Sequence, residues 1–390
     1  MRHPTSHIFE FTPDSMEAWC DERRLPKFRA KQILEWVYAN GVADPELMSN
    51  LSKNDRAILA KDMTLISGDI IGHQKSTDGV EKLLVEWWDG SNATPSDTAP
   101  QEPRPLISTS LPVLSRPASG HTDRQTECVM IPSEDRRTAC ISSQIGCPVG
   151  CRFCASGLGG LDGNLSAGRI VEQVWRLGRL KGIERITNVV FMGMGEPLAN
   201  ITNVIRAVRT IQAEWGLGIS ARKITISTVG LPAAIDRLAN ELDLPVTLAL
   251  SLHAPNDTIR RELIPWASYT SIADLLTACQ RWFTKTGREI TLEYTLLRGV
   301  NDRPEHAAEL ATITKSLRAN VNLIRYNEVK GMPFERPRTD DVLEFQRLLR
   351  ARHVNAHIRA SRGRDIAAAC GQLRHEHVQS GGKAAAGVKR

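Results

Sequence analysis

Gly146-Cys147-Pro148-Val149-Gly150-Cys151-Arg152-Phe153-Cys154 carries three cysteines on one short loop, in a CxxxCxxC spacing. Three thiolates so placed can hold three irons of a [4Fe–4S] cube and leave the fourth iron without a protein ligand. An open position of that kind suits S-adenosylmethionine. Its amino and carboxylate groups can chelate the iron, and one electron then cleaves the sulfonium to a 5′-deoxyadenosyl radical. Structural zinc sites favour paired CxxC units and four ligands, and this loop offers neither. The plainer alternatives are cysteines that only pack, or half of a zinc site completed elsewhere.

Working outward, the loop follows the apolar run Ala139–Ser142, the first of six strand-like runs; the others are Ile186–Met192, Lys223–Ser227, Val246–Leu252, Ile290–Leu296 and Val321–Tyr326. Amphipathic helical stretches lie between them, among them Ala167–Leu180, Ile201–Glu214 and Glu305–Leu317. Alternating β and α units with continuously apolar strands predict an α/β fold with a parallel sheet covered by helices. A partial (β/α)6 barrel fits better than a flat doubly wound sheet, because barrels collect their chemistry at strand C-terminal ends and the cysteine loop follows the first strand.

The same rule selects the other candidates. Gly193-Met194-Gly195-Glu196-Pro197 follows the second strand; its glycines permit close backbone approach, and Glu196 can accept from an ammonium group. Ser227 ends the third strand, Ser251-Leu252-His253 ends the fourth, and Asn327 lies just past the sixth. These are expected to contact the sulfonium cofactor at Gly195, Glu196, Ser227, Ser251, Leu252, His253 and Asn327, with turn and cap chemistry as the alternative. Cys140 and Cys370 on spacing alone resemble buried small hydrophobes, as do Cys20 and Cys279.

Outside the barrel, residues 1–63 read as a helical module. Phe28, Ile33, Trp36 and Val37 recur at helical spacing, and Arg23, Arg24, Lys27, Arg29, Lys31 and Lys53 offer either a solvated face or phosphate contacts. Residues 64–90 predict a β-hairpin turning at Ser76-Thr77-Asp78-Gly79. Residues 91–125, rich in Pro, Ser and Thr, read as a flexible insertion, 126–373 as the core, and 374–390 as a disordered basic tail.

Composition sets the limits. Of 390 residues, 41% are hydrophobic and 24% charged, ordinary for a globular enzyme, and no apolar run approaches the roughly 20 residues of a membrane span. Met1 to Glu10 lacks the apolar core of a secretion signal, so the eight cysteines point to the reducing cytoplasm. A net charge of +6 permits a polyanionic partner without requiring one.

A wider pattern then emerges. Ile131-Pro132-Ser133-Glu134-Asp135-Arg136, Ser142-Ser143-Gln144-Ile145-Gly146-Cys147, Gly193–Pro197, Ser251–Asp257 and Ala369-Cys370-Gly371-Gln372-Leu373 together resemble the radical-SAM RNA adenine methyltransferases, the RlmN/Cfr family. The likeness runs from Phe28-Arg29-Ala30-Lys31-Gln32 onward and omits only the insertion and the tail. It implies a radical-SAM barrel, a [4Fe–4S] cluster on Cys147, Cys151 and Cys154, and two S-adenosylmethionines per turnover. It further implies that Cys370 becomes an S-methylcysteine, that Cys140 resolves the adduct through a transient Cys140–Cys370 disulfide, and that Glu127 accepts a proton. The implied substrates are adenosine C2 in 23S ribosomal RNA and in transfer RNA at position 37, with C8 of the ribosomal adenosine as the rival. A flavodoxin or ferredoxin is expected as electron donor, and the protein as a monomer. Another radical-SAM enzyme and a zinc-stabilised RNA-binding module are the competing classes. Departures from the family pattern are Gly163 where a basic residue is usual, Arg325 where proline is common, and the longer insertion before Glu127.

Overall fold

The computed structural model describes residues 1–88 and 124–373. The expected flexible insertion, up to residue 123, and the expected tail, 374–390, lie outside the described residues.

The N-terminal segment forms α1 (Pro13–Glu22), α2 (Phe28–Tyr38) and α3 (Lys53–Asp62). Thr12 and Ser52 cap the first and third through their side-chain oxygens, satisfying N–H groups that would otherwise lack partners. The hairpin is β1 (Gly68–Lys75) and β2 (Glu81–Trp87), antiparallel and turned at residues 76–79 as the sequence predicts. Next come β3 (Gln125–Pro132), β4 (Arg137–Cys140), β5 (Gln144–Gly146), β6 (Leu161–Asn164) and α4 (Ala167–Leu177). The barrel proceeds through β7 (Asn188–Phe191), α5 (Ile201–Gln212), β8 (Ile224–Thr228), α6 (Pro232–Glu241), β9 (Thr247–Ser251), α7 (Asp257–Leu263) and α8 (Ile272–Thr286). It ends with β10 (Ile290–Leu296), α9 (Pro304–Lys315), β11 (Ala319–Arg325), α10 (Thr339–Arg350) and β12 (Ala356–Arg359).

One ten-stranded sheet runs β1-β2-β3-β4-β7-β8-β9-β10-β11-β12. Pairing is antiparallel from β1 to β4 and parallel from β4 onward, so the six expected barrel strands are present and β12 extends the parallel run by one. Leu248, Ala249 and Leu250 on β9, and Ile290, Leu292, Tyr294 and Leu296 on β10, are wholly buried, as strands covered on both faces require. The cysteine loop does not directly follow the first barrel strand. It hangs between β5 and β6, which pair with each other as a separate two-stranded ribbon.

The helix α4 departs from the amphipathic expectation, since its polar face is buried too. Glu172 accepts from Ser67 Oγ at 2.6 Å, lies 3.0 Å from His7 Nε2, and pairs with Arg176 at 2.6 Å. The N-terminal module and the hairpin thus cover the face of α4 that solvent would otherwise occupy. Ile8, Phe9, Trp19 and Val37 join Ile170, Val174 and Leu177 in one continuous core.

Among the described residues the sheet does not close by strand pairing. Instead the chain beyond β12 returns to the hairpin. Ser76 Oγ donates to Asp365, Thr77 N–H donates to the same carboxylate at 3.0 Å, and Gly363 N–H donates to Asp78 at 3.0 Å. Gly363 has φ +66°, and a Cβ there would meet Val80 Cγ1 at 2.8 Å, so this close approach suits glycine.

Candidate active site

Loops at the C-terminal ends of the parallel strands surround one cavity. Its walls include Cys147, Cys151 and Cys154 on one side, Gly195, Glu196, Ser227, Ser251 and His253 around the rim, and Asn327 and Cys370 opposite. Every sequence-derived cofactor candidate is therefore assembled there except Leu252. That side chain packs in the core, while its N–H donates to Glu293 O at 3.1 Å.

Each rim residue is held by its neighbours. Gly195 has φ +101°, and a Cβ on it would lie 2.6 Å from Gln144 Cβ. Gln144 Oε1 accepts from Glu196 N–H at 2.7 Å, tying the strand-end turn to the ribbon that presents the cysteines. The Glu196 carboxylate accepts N–H bonds from Leu198 at 3.0 Å and Val229 at 2.8 Å, and burial pushes its pKa up to about 7. Ser227 Oγ and Ser251 Oγ lie 3.2 Å apart. His253 takes a left-handed backbone (φ 55°), accepts from Thr295 N–H through Nδ1 at 3.1 Å, and packs edge-on against Phe153. Burial, with Arg260 nearby, drives its pKa down to about 3, so the imidazole is neutral with its proton on Nε2.

The three loop cysteines suit a cluster better than a single ion. All three line the cavity from one short loop, three thiolates with no fourth cysteine beside them in that loop. A zinc ion needs its ligands around one point, whereas a cube takes one thiolate on each of three irons. Burial raises all three thiols, and mutual repulsion raises Cys151 further, so ionising them together calls for a bound cation.

A smaller cavity adjoins the first. Cys140 and Cys370 both line it, with Met192, Asn327, Arg359 and Arg362. Met192, Ile324, Asn327, Arg359 and Cys370 border both spaces, so Cys370 lies on the boundary between the cofactor side and the Cys140 side. The Cys370 segment is stitched in place by Gly371 O, which accepts from Ala155 N–H at 2.7 Å, and by Cys370 O, which accepts from Asn327 Nδ2 at 3.4 Å. Glu127 sits apart on β3, buried and 2.8 Å from Lys82 Nζ. The same ammonium donates to Ala367 O at 3.3 Å, which links Glu127 to the segment bearing Cys370.

Arg359 and Glu293 line the cofactor cavity and were not among the sequence candidates. The Arg359 signal was hidden because β12 is short and its strand was not foreseen. Of the N-terminal basic residues, Arg23 pairs with Asp62 at 3.0 Å and Arg29 with Asp55 at 2.9 Å, so these two brace the module. Arg24, Lys27, Lys31 and Lys53 are exposed.

Comparison with known proteins agrees with this geometry. Residues 6–65 match the ribosomal RNA large subunit methyltransferase N-terminal domain, and residues 141–311 match the radical SAM superfamily. A Rhodopirellula baltica protein named "Probable dual-specificity RNA methyltransferase RlmN" is 40% identical, over 95% of this chain and 91% of its own. The chain belongs to the RlmN family of dual-specificity RNA methyltransferases. A second member, the dual-specificity RNA methyltransferase RlmN of Dichelobacter nodosus, is 36% identical over 94% of this chain and 93% of its own. The crystal structure of a radical SAM methyltransferase from Sphaerobacter thermophilus superposes with a TM-score of 0.84 at 38% identity, covering 95% of this chain and 100% of that one. Family membership makes the chain an S-adenosylmethionine-dependent RNA methyltransferase, with the iron–sulfur cluster and the sulfonium cofactor that the radical SAM superfamily uses.

Proposed function

We propose that this chain methylates C2 of adenosine in 23S ribosomal RNA and in transfer RNA at position 37, through a methyl group carried on Cys370. The observation that supports it most is the placement of Cys370 on the border of both cavities, between the cofactor rim and Cys140.

Adenine C2 is an electron-poor carbon without a lone pair, so it does not attack a sulfonium as a ring nitrogen can. A thiolate does. Cys370 takes the methyl of one S-adenosylmethionine, forming an S–C bond as the sulfonium S–C bond breaks. Cys147, Cys151 and Cys154 would hold the iron–sulfur cluster, which would supply one-electron reduction of a second S-adenosylmethionine. Gly195, Glu196, Ser227, Ser251, His253 and Asn327 orient that molecule, with neutral His253 offering Nε2–H. One hydrogen atom of the Cys370 methyl would pass to the 5′-deoxyadenosyl fragment of that cleaved molecule, and the methylene radical left on sulfur joins C2. The radical adduct would return one electron to the oxidised cluster, and Glu127 accepts the C2 proton. Cys140 attacks the Cys370 sulfur, and the disulfide forms as the carbon–sulfur bond breaks.

The base must leave its stack to enter the cavity, and the helical module with the exposed Arg24, Lys27, Lys31 and Lys53 offers phosphate contacts for holding the RNA. A flavodoxin- or ferredoxin-type donor supplies electrons, and the protein acts as a cytoplasmic monomer. Mass mapping of nucleosides from unmodified RNA incubated with the reduced enzyme tests the assignment. A methyl on adenine C2 is expected; a methyl on C8 instead would move the chemistry to the rival carbon.

A further inference from the structure

Cys140 ends β4, and charged or titratable groups face it from several elements. Cys128 approaches from β3, Cys370 and Arg362 from the C-terminal segment, and Arg359 from β12. Glu293 on β10 influences Arg359 from the cofactor side. Of these groups, Arg359 borders both cavities. Its Nη1 meets only the weak acceptor Met192 Sδ, at 3.4 Å, and among the described residues it makes no ion pair with a carboxylate. A guanidinium that borders both thiols, is influenced first by Cys370 and then by the buried Glu293 and by Cys140, and makes no ion pair with a carboxylate among the described residues, is placed to support an anion that forms on these sulfurs during turnover.

We infer that Arg359 is a positioning residue for release of the product: its charge supports Cys140 as a thiolate when Cys140 attacks the Cys370 sulfur. The inference rests on the function proposed above. In this step a Cys140 electron pair forms the S–S bond, and the bond from Cys370 sulfur to the adenine-borne carbon breaks with its pair on carbon. A solvent proton completes the methyl group, and a dithiol reductant later returns both cysteines to thiols. Support is needed because burial, reinforced by Cys370, pushes the Cys140 thiol up to about 12, while Arg359 opposes that rise.

Arg359→Gln and Arg359→Lys, incubated with unmodified RNA, S-adenosylmethionine and reductant across a pH series, test the inference on denaturing gels. Arg359→Gln is expected to accumulate a covalent protein–RNA adduct through Cys370 near neutral pH, cleared at least about tenfold more slowly than by the native protein, and to clear it as the pH rises. Arg359→Lys is expected to clear it near the native rate. Cys140→Ala is expected to retain its adduct at every pH. An Arg359→Gln adduct indifferent to pH overturns the inference. So does loss of Cys370 S-methylation or of S-adenosylmethionine binding, which would assign the guanidinium to an earlier step. If Arg359→Gln fails to retain iron and sulfide, Arg359→Lys decides alone: native clearance supports the charge, and a persistent adduct overturns it. Failure of the underlying function shows separately, as the absence of any adduct from Cys140→Ala.

Discussion

Cys140, on the first parallel strand, and Cys370, in the last described segment, line the same cavity. The chain beyond β12 achieves this by returning across the open edge of the barrel to the β1–β2 turn. Two thiols that meet in this way can exchange a thioether for a disulfide, and neither alone can do so.

Replacing either thiol should therefore stop the reaction at a different stage. Cys140→Ala is expected to trap RNA covalently on Cys370, visible as a slow band on a denaturing gel. Cys370→Ala should give neither adduct nor product. Equal methylation by the Cys370→Ala protein would sink the mechanism.

The clasp at the hairpin turn is expected to set where Cys370 sits. Asp365→Ala removes the acceptor for Ser76 Oγ, Thr77 N–H and Thr77 Oγ1. Turnover should fall roughly tenfold or more, because a reacting sulfur displaced by about 1 Å loses alignment. Iron content should be unchanged, since the bonds Asp365 accepts come from the hairpin turn and not from the cysteine loop. Asp365→Asn, which keeps an oxygen acceptor, should recover much of the loss; identical rates for all three proteins would contradict the assignment.

Gly195→Ala should weaken cofactor binding. Its Cβ would fall 2.6 Å from Gln144 Cβ and 2.9 Å from Gln144 N, at a φ that side chains rarely adopt. Strain of about 1–3 kcal/mol would displace the turn that presents Glu196. Equilibrium binding of S-adenosylmethionine to the reconstituted protein measures it, and native affinity would refute it.

How much of this was legible in the sequence depended on the range of the signal. The strand-end turn at residues 193–197 and the hairpin turn are local patterns with a definite steric cause and are found where expected, whereas the cysteine loop reaches the same cavity from the β5–β6 ribbon rather than directly from the first barrel strand. β12, only four residues long, gives too little periodicity to be read, so Arg359 escapes notice and the barrel gains a strand, while the eight-residue β3 begins at the edge of the Pro-rich stretch that masks it. The buried polar face of α4 was illegible for another reason: Glu172 looks like a solvent-facing residue until His7, Ser67 and Arg176 close over it. Leu252 was chosen by its place in a tripeptide, but alternation along the chain turns its side chain into the core.

That buried network makes a stability prediction. Glu172→Ala would leave Arg176 in a buried setting without its carboxylate and release Ser67 and His7. A loss of about 3–5 kcal/mol is expected in denaturant unfolding. A change within error would show that solvent replaces the carboxylate.

His253 predicts an acid limb. Its folded pKa, about 3, lies below the ordinary value of 6.5, so the unfolded chain binds more protons between these two values. The neutral, buried ring thus contributes stability that is complete above the ordinary value and is lost as pH falls toward 3. At about pH 5 the loss is about 2 kcal/mol. His253→Asn, which keeps an acceptor for Thr295 N–H, should flatten that part of the melting-temperature profile; an unchanged slope would assign the acid sensitivity to other groups.

The most direct test of carriage on Cys370 uses S-adenosylmethionine deuterated in its methyl group, with the RNA product examined by nucleoside mass spectrometry. Passage through Cys370 requires that the delivered carbon lose one deuterium before it reaches adenine C2, so the product methyl should carry a single hydrogen in place of one label. A fully deuterated methyl on the base would mean direct transfer from the sulfonium and would contradict the account.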